Sequence, residues 1–265
     1  MKEALLRFLP EEEKLYLAEL PEEGKQEAHP FSFEKVHWSW FLPTLQSFPA
    51  KDQRLFLHVF DPYAREQLEA SLALKEGKEE VTETAKSFLR QKLLSGLDAP
   101  QEGLLPTEYL PASPLNRLVT LSKKDLIRLI NSLALYDLAQ EVRQIVETKT
   151  LKKIYALLSE EQKAILKQIT IHKGPSSLPK LGIEKWEGSK ESLQVLLHRR
   201  GLTRLSVALA GQDPDLIWMI CHQLDIGRGG TLFKFCGREK KSGAADGIIR
   251  QIEELLGSMN LSHNS

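Results

Sequence analysis

Apolar residues along the chain recur mostly at i, i+3 and i+4, the spacing that lines one face of an α-helix, and no strand-like alternation of any length interrupts them. The pattern predicts an all-α protein built as several short-helix bundles or armadillo-like helical units in series. It is densest over residues 190–256. There Leu193, Leu196 and Leu197, then Leu202, Leu205 and Leu209, predict two short helices split near Gly201. Asp213-Pro214 predicts a new helix start, because an aspartate caps free amides and proline loses nothing at the first helical position. Its expected buried face is Ile217, Ile220, Cys221 and Leu224, and its expected stop is Asp225-Ile226-Gly227, where glycine can turn left-handed. A fourth helix with Leu232, Phe235 and Cys236 is expected after Gly229-Gly230. A last one carries Ala245, Ile248, Ile249, Ile252 and Leu256 after the loop from Gly237 to Gly243.

Upstream, Pro10 and Pro21 each follow a leucine and precede a Glu-Glu pair, which predicts two short helices in the first thirty residues. Residues Phe31 to Phe41 place five aromatic side chains in eleven positions. Such a cluster is either a core plug or an interface anchor, so Trp38, Trp40 and Phe41 are carried as partner-contact candidates, and His37 reads as a satisfied, partly buried histidine. Leu55, Phe56, Val59 and Phe60 share a helical face that ends where Asp61-Pro62 opens the next helix. Another helix is predicted from about Glu83 to Leu94, burying Ala85, Phe88, Leu89 and Leu93.

Pro100, Pro106, Pro111 and Pro114 mark the strongest expected boundary, since each removes an amide donor and pushes its predecessor out of helical conformation. Residues 115–171 contain neither glycine nor proline and predict four short helices, with capping boxes at Ser122/Asp125 and Ser159/Gln162. The expected apolar faces are Leu126, Ile130 and Leu133; Leu138, Val142 and Ile145; Leu151, Ile154, Tyr155 and Leu158; and Ile165, Leu166 and Ile169. Residues 172–188 read as a second linker, with Trp186 capping the core that follows. The domain organisation expected is therefore 1–98, a linker 99–114, 115–171, a linker 172–188, 189–257 and a disordered tail 258–265.

Composition narrows the function classes. With 42% hydrophobic and 27% charged residues the chain can bury an ordinary core without metals or disulfides. Lys plus Arg and Asp plus Glu both number 36, so no global field draws in nucleic acid or an anionic membrane. Cys221 and Cys236 fall on apolar faces and read as core, with Cys221 and His222 pointing to different sides of one helix. No signal peptide and no membrane-length apolar run is seen, so a cytoplasmic location is expected, peripheral to the membrane at most. HExxH, GxSxG and CxxC are absent, and Gly227-Arg228-Gly229-Gly230 lacks the strand and the Gly-Lys-Ser/Thr ending of a P-loop. No catalytic residue, cofactor or metal is assigned.

The order of segments over residues 190–256 resembles the C-terminal domain of the flagellar motor switch protein FliG. The features that carry it are the L-x-x-L-x-x-A-L-x-G run from Leu202 to Gly211, the amphipathic helix after it, the small-residue step at Arg228-Gly229-Gly230 and the long final helix after a basic loop. In that family the charges that work against the stator lie on the fourth helix and the step before it. Here Arg228 matches a basic one, the acidic pair falls on Phe235 and Cys236, and a further basic position falls on Ala210. The resemblance therefore implies a scaffold, not a torque generator: a non-enzymatic component of a type III secretion or flagellar-type export apparatus, related to the SctK-like proteins of injectisomes, linking a membrane-ring protein to cytosolic ring components.

Arg228, Lys234, Arg238, Lys240 and Lys241 against Glu239 form the one local charge excess near that step, and are carried as candidates for docking an acidic partner surface. His198, Arg199, Arg200 and Arg204 form a smaller basic cluster, on which an RNA-associated or regulatory role is the alternative.

Overall fold

The computed structural model describes residues 33–74, 81–97, 104–171, 179–237 and 243–259. The helices expected in the first thirty residues lie outside them, as do the last six residues. Among the described residues every regular element is helical and no strand occurs. The all-α reading holds.

The N-terminal helices are α1 (Leu42–Gln46), α2 (Ala50–Leu57), α3 (Pro62–Leu72) and α4 (Glu83–Leu94). Asp61 caps α3 as expected, its carboxylate accepting from the Ala64 amide at 3.0 Å. Single 3-10 turns, Phe33–Lys35 and Trp38–Trp40, precede them. Phe33 from the first turn, Phe41 just after the second and Phe60 from between α2 and α3 meet with ring centroids 4.9 to 5.5 Å apart and close a small aromatic core. Phe88 does not join it. Expected inside, it stands 67% exposed, because the buried side of α4 is set by Leu93 and Leu94 at its far end.

The middle block forms the four helices expected: α5 (Lys123–Leu133), α6 (Leu135–Val142), α7 (Thr148–Leu157) and α8 (Glu160–Ile171). Both capping boxes exist. Ser122 Oγ accepts from the Asp125 amide at 3.1 Å, and Ser159 and Gln162 exchange backbone-to-side-chain bonds of 3.0 and 3.2 Å. Leu126, Ile130, Leu133, Leu138 and Ile154 are fully buried, whereas Tyr155 sits at the surface.

The organising element is α9 (Lys190–Leu209), followed by α10 (Pro214–Gln223), α11 (Ile226–Cys236) and α12 (Ala245–Ser258). Two expectations fail here. The first is the break at Gly201: α9 runs unbroken for 20 residues, about 30 Å, and Gly201 serves a close helix crossing instead of a turn. The second is the stop at Gly227. The chain turns one step earlier, at Leu224, and Asp225 caps α11 by accepting from the amides of Gly227 and Arg228 at 3.2 and 3.1 Å. Gly227, Gly229 and Gly230 are therefore the first turns of α11, not a corner ahead of it.

α9 packs on α5, α11 and α12, and its C-terminal half is buried on nearly every side. α10 is likewise enclosed: Leu216, Trp218, Met219, Ile220, Cys221 and Leu224 are all core, with Ile217 only half-buried. On α12, Ala245, Ile248, Ile252, Leu255 and Leu256 face inward. The buried apolar residues form one continuous cluster from Phe33 to Met259. The described part of the proline-rich segment is docked on it through Leu104 and Leu110. The Leu105 amide donates to the Asp215 carboxylate at 2.9 Å, and Ser113 Oγ donates to Gln212 Oε1 at 2.7 Å.

Two polar locks fix the frame around α9. Asp137 on α6 is buried and accepts from Arg200 Nε at 2.5 Å and from Arg204 Nη1 at 2.8 Å. Arg204 continues to Gln251 on α12 and lies 5.5 Å over the Tyr136 ring, whose hydroxyl donates to Glu254 at 3.1 Å. Burial pulls the Arg204 guanidinium below its usual range while Asp137 opposes that shift. The second lock is Glu141, a buried carboxylate that accepts from the consecutive amides of Leu181, Gly182 and Ile183. Gly182 there takes φ +84°, the left-handed backbone that lets three amides converge on one anion. Trp186 follows, half-buried, its Nε1 donating to Ser189 O at 3.0 Å with Lys153 above the ring.

Candidate functional site

Where α5, α7, α8, α9 and α11 meet, they leave a groove of about 800 Å³. Its apolar lining includes Leu157, Leu158, Leu193, Leu197, Leu202 and Phe235. Leu193, Leu197 and Leu202 also belong to the core stripe of α9. Val195 lies off that stripe, 68% exposed at the groove margin.

One end of the groove is polar and internally braced. Arg228 Nε donates to His198 Nε2 at 3.0 Å, so the imidazole proton sits on Nδ1, which faces Asn131 Oδ1 at 2.7 Å. Arg228 Nη1 also meets Asp225 at 2.5 Å, and Asp225 is itself held by the α11 amides. A chain of contacts thus links α5, α9 and α11 across the groove. Burial lowers the His198 pKa, Arg228 lowers it further and Asp225 opposes, so the ring is neutral at pH 7. Arg199, exposed on the same rim, has no side-chain partner among the described residues.

The expected site residues separate into three groups. Arg228 lies in the groove but is already paired, and Lys234 stands exposed farther along α11. Arg238, Lys240 and Lys241 lie outside the described residues. Phe41 is fully buried against Phe33 and Phe60 and presents no surface to a partner. Trp40 is half-buried and works inward: its Nε1 donates to Leu224 O at 2.8 Å and its ring centroid lies 4.1 Å from that of His222, on which Trp218 also stacks at 3.7 Å. Trp38 is half-buried beside His37. The aromatic stretch is thus a clamp on α10 and α11, completed by the His37 amide donating to His222 O at 2.8 Å and by Ser39 Oγ accepting from the Ile226 amide at 2.9 Å.

The smaller basic cluster is not a continuous surface. Arg204 is buried and Arg200 is spent on Asp137, which leaves Arg199 as its exposed arginine. Sequence reasoning missed the groove because its walls come from helices far apart along the chain. The one local signal was Val195, an apolar residue out of phase with Leu193 and Leu197.

Cys221 is fully buried and its thiol is pushed up by burial, with Cys236 nearby adding to the effect. Among the described residues no group of three or more His, Cys, Asp or Glu side chains could hold a metal ion. Among them, too, no helix is long and apolar enough to cross a membrane. No family model, no curated protein and no solved structure matches the chain.

Proposed function

We propose that this chain is a non-enzymatic helical scaffold that binds other proteins, and that it serves in a type III secretion or flagellar-type export apparatus, linking a membrane-ring protein to cytosolic ring components. The observation that carries the binding part is the groove between α5, α7, α8, α9 and α11: an apolar trough with a braced polar end. Support also comes from how the buried charges are used. Asp137, Glu141 and Asp215 are each committed to contacts that hold helices or loop backbone in place. The export setting rests on the resemblance of residues 190–256 to the FliG C-terminal domain, and Arg228 illustrates how that resemblance departs from a motor. Its guanidinium braces the groove internally, a use suited to docking more than to a passing stator charge.

In this reading the protein is cytoplasmic and reaches the membrane only through a ring protein. Bacterial two-hybrid and pull-down assays of the full chain against basal-body and cytosolic-ring subunits test it. Retention of at least one such subunit through a salt wash is the expected result, and failure with all of them overturns the assignment.

A further inference from the structure

The charge on the groove's lining is one-sided. Its charged residues are Arg199 and Arg228, with no aspartate or glutamate, although the chain as a whole is balanced. Asp225 offsets part of the Arg228 charge through Nη1, while Nη2 of that guanidinium has no partner among the described residues and the side chain is 43% exposed. Arg199 is uncompensated among the described residues. The accessible apolar lining is Ile127 on α5, Leu157 on α7, Val195 on α9 and Phe235 on α11, while Leu193, Leu197 and Leu202 form a floor that is itself buried.

Resting on the docking reading above, we propose that the groove takes one amphipathic helix of a partner protein, its apolar side on Ile127, Leu157, Val195 and Phe235 and its carboxylates on Arg199 and Arg228. An apolar trough flanked by cations suits this occupant on two counts. Burial of the partner's leucine-type stripe supplies affinity, and the arginines select against basic or neutral helices by leaving their own charges unpaired or repelled. The His198 brace matters to the same end. By occupying Nε of Arg228 it fixes the guanidinium plane, so that a bound carboxylate meets a preset donor instead of a mobile side chain.

The test is a displayed library of helices of about 18 residues, roughly five turns, apolar at i, i+3, i+4 and i+7 and randomised elsewhere, selected on the full chain. The expected result is enrichment of acidic sequences whose binding falls about tenfold or more on Val195→Glu and on Arg199→Glu, and weakens with added salt. Both positions are exposed, so circular dichroism should find the variants folded like the parent. Enrichment of neutral or basic helices, binding indifferent to both substitutions, or no enrichment overturns the proposal. A synthetic peptide of this chain's residues 1–30, eight acidic against four basic, is the competitor arm. If it displaces the selected helices at the groove, the occupant is the chain itself and the partner assignment falls. If the pull-down succeeds but is untouched by Val195→Glu, the groove inference fails and the scaffold reading stands. If acidic helices are selected but no subunit is captured, the groove inference stands and the export assignment fails.

Discussion

A β-carbon on Gly201 would lie 1.8 Å from the carbonyl oxygen of Ile130, so α9 and α5 cross backbone to backbone at this point. Inside an exposed helix, replacing glycine by alanine gains up to about 1 kcal/mol. Here the clash is with main chain, which cannot swing aside, and the crossing must open. Gly201→Ala should therefore destabilise the protein by about 3 kcal/mol or more despite the better helix former. Urea unfolding of the two proteins side by side measures it. A variant as stable as the parent would show that the crossing is not tight.

Asp137 on α6 and Arg204 on α9 are both buried and bonded to each other at 2.8 Å. Removing the negative charge leaves Arg204 uncompensated inside the protein, and breaking a buried pair in this way costs about 3–5 kcal/mol. Asp137→Asn should lower the melting temperature by roughly 10 °C. Adding Arg204→Met, which removes the stranded charge but keeps an apolar stem, should restore half or more of the loss. If the double variant is as unstable as the single one, the lock acts through shape and not through charge.

Most helices were legible because their ends carry local chemistry. Asp61, Ser122, Ser159 and Asp213 each announce a start that the structure keeps, and α4 has the predicted bounds from Glu83 to Leu94. What was not legible depends on neighbours distant in sequence. Gly201 looks like a breaker until Ile130 is beside it, and Asp225 looks like the end of one helix until its carboxylate is seen capping the next. Phe88 follows the helical period yet faces outward, since periodicity identifies a face but not whether anything covers it. The site was least legible of all. Arg228 stands out in the sequence for its charge, but His198 and Asn131, which with the cap residue Asp225 determine where that charge points, come from other helices.

Glu141 holds the segment after residue 178 by accepting from three successive amides, with Ile183 N at 2.8 Å. Glutamine keeps the size but brings an NH2 group against those donors and loses the charge that strengthened the bonds. Glu141→Gln should cost about 2 kcal/mol, a typical value for hydrogen bonds to a charged acceptor. The loss should also be local. Amide exchange at Leu181, Gly182 and Ile183 should accelerate by about tenfold or more while exchange in the middle of α9 changes less. Uniform acceleration along the chain would instead assign Glu141 a global role.

His37 lies between the aromatic clamp and α11, with Nδ1 accepting from the Ser39 amide at 3.2 Å, and its pKa is held down to about 4. Burial is the main cause, Lys123 and Arg228 add to it, and Asp225 opposes. Because the folded state disfavours the charged ring, this site's contribution is complete above the ordinary value of 6.5. It is lost progressively as the pH falls from there to about 4, and is constant below. The ring is only partly buried, so solvent screening reduces the effect to on the order of 1–2 kcal/mol. His198, shifted in the same direction, adds to the same acid-side loss. Carboxylates also titrate in this range, so the informative quantity is a difference between two proteins. In His37→Asn, the amide oxygen takes the place of Nδ1 without a group that charges near neutrality. Melting temperatures taken from pH 7.5 down to 4.5 should fall less steeply for the variant than for the parent, the two curves separating below about pH 6. Parallel curves over that interval would mean that the imidazole charges in the folded protein as readily as in the unfolded one.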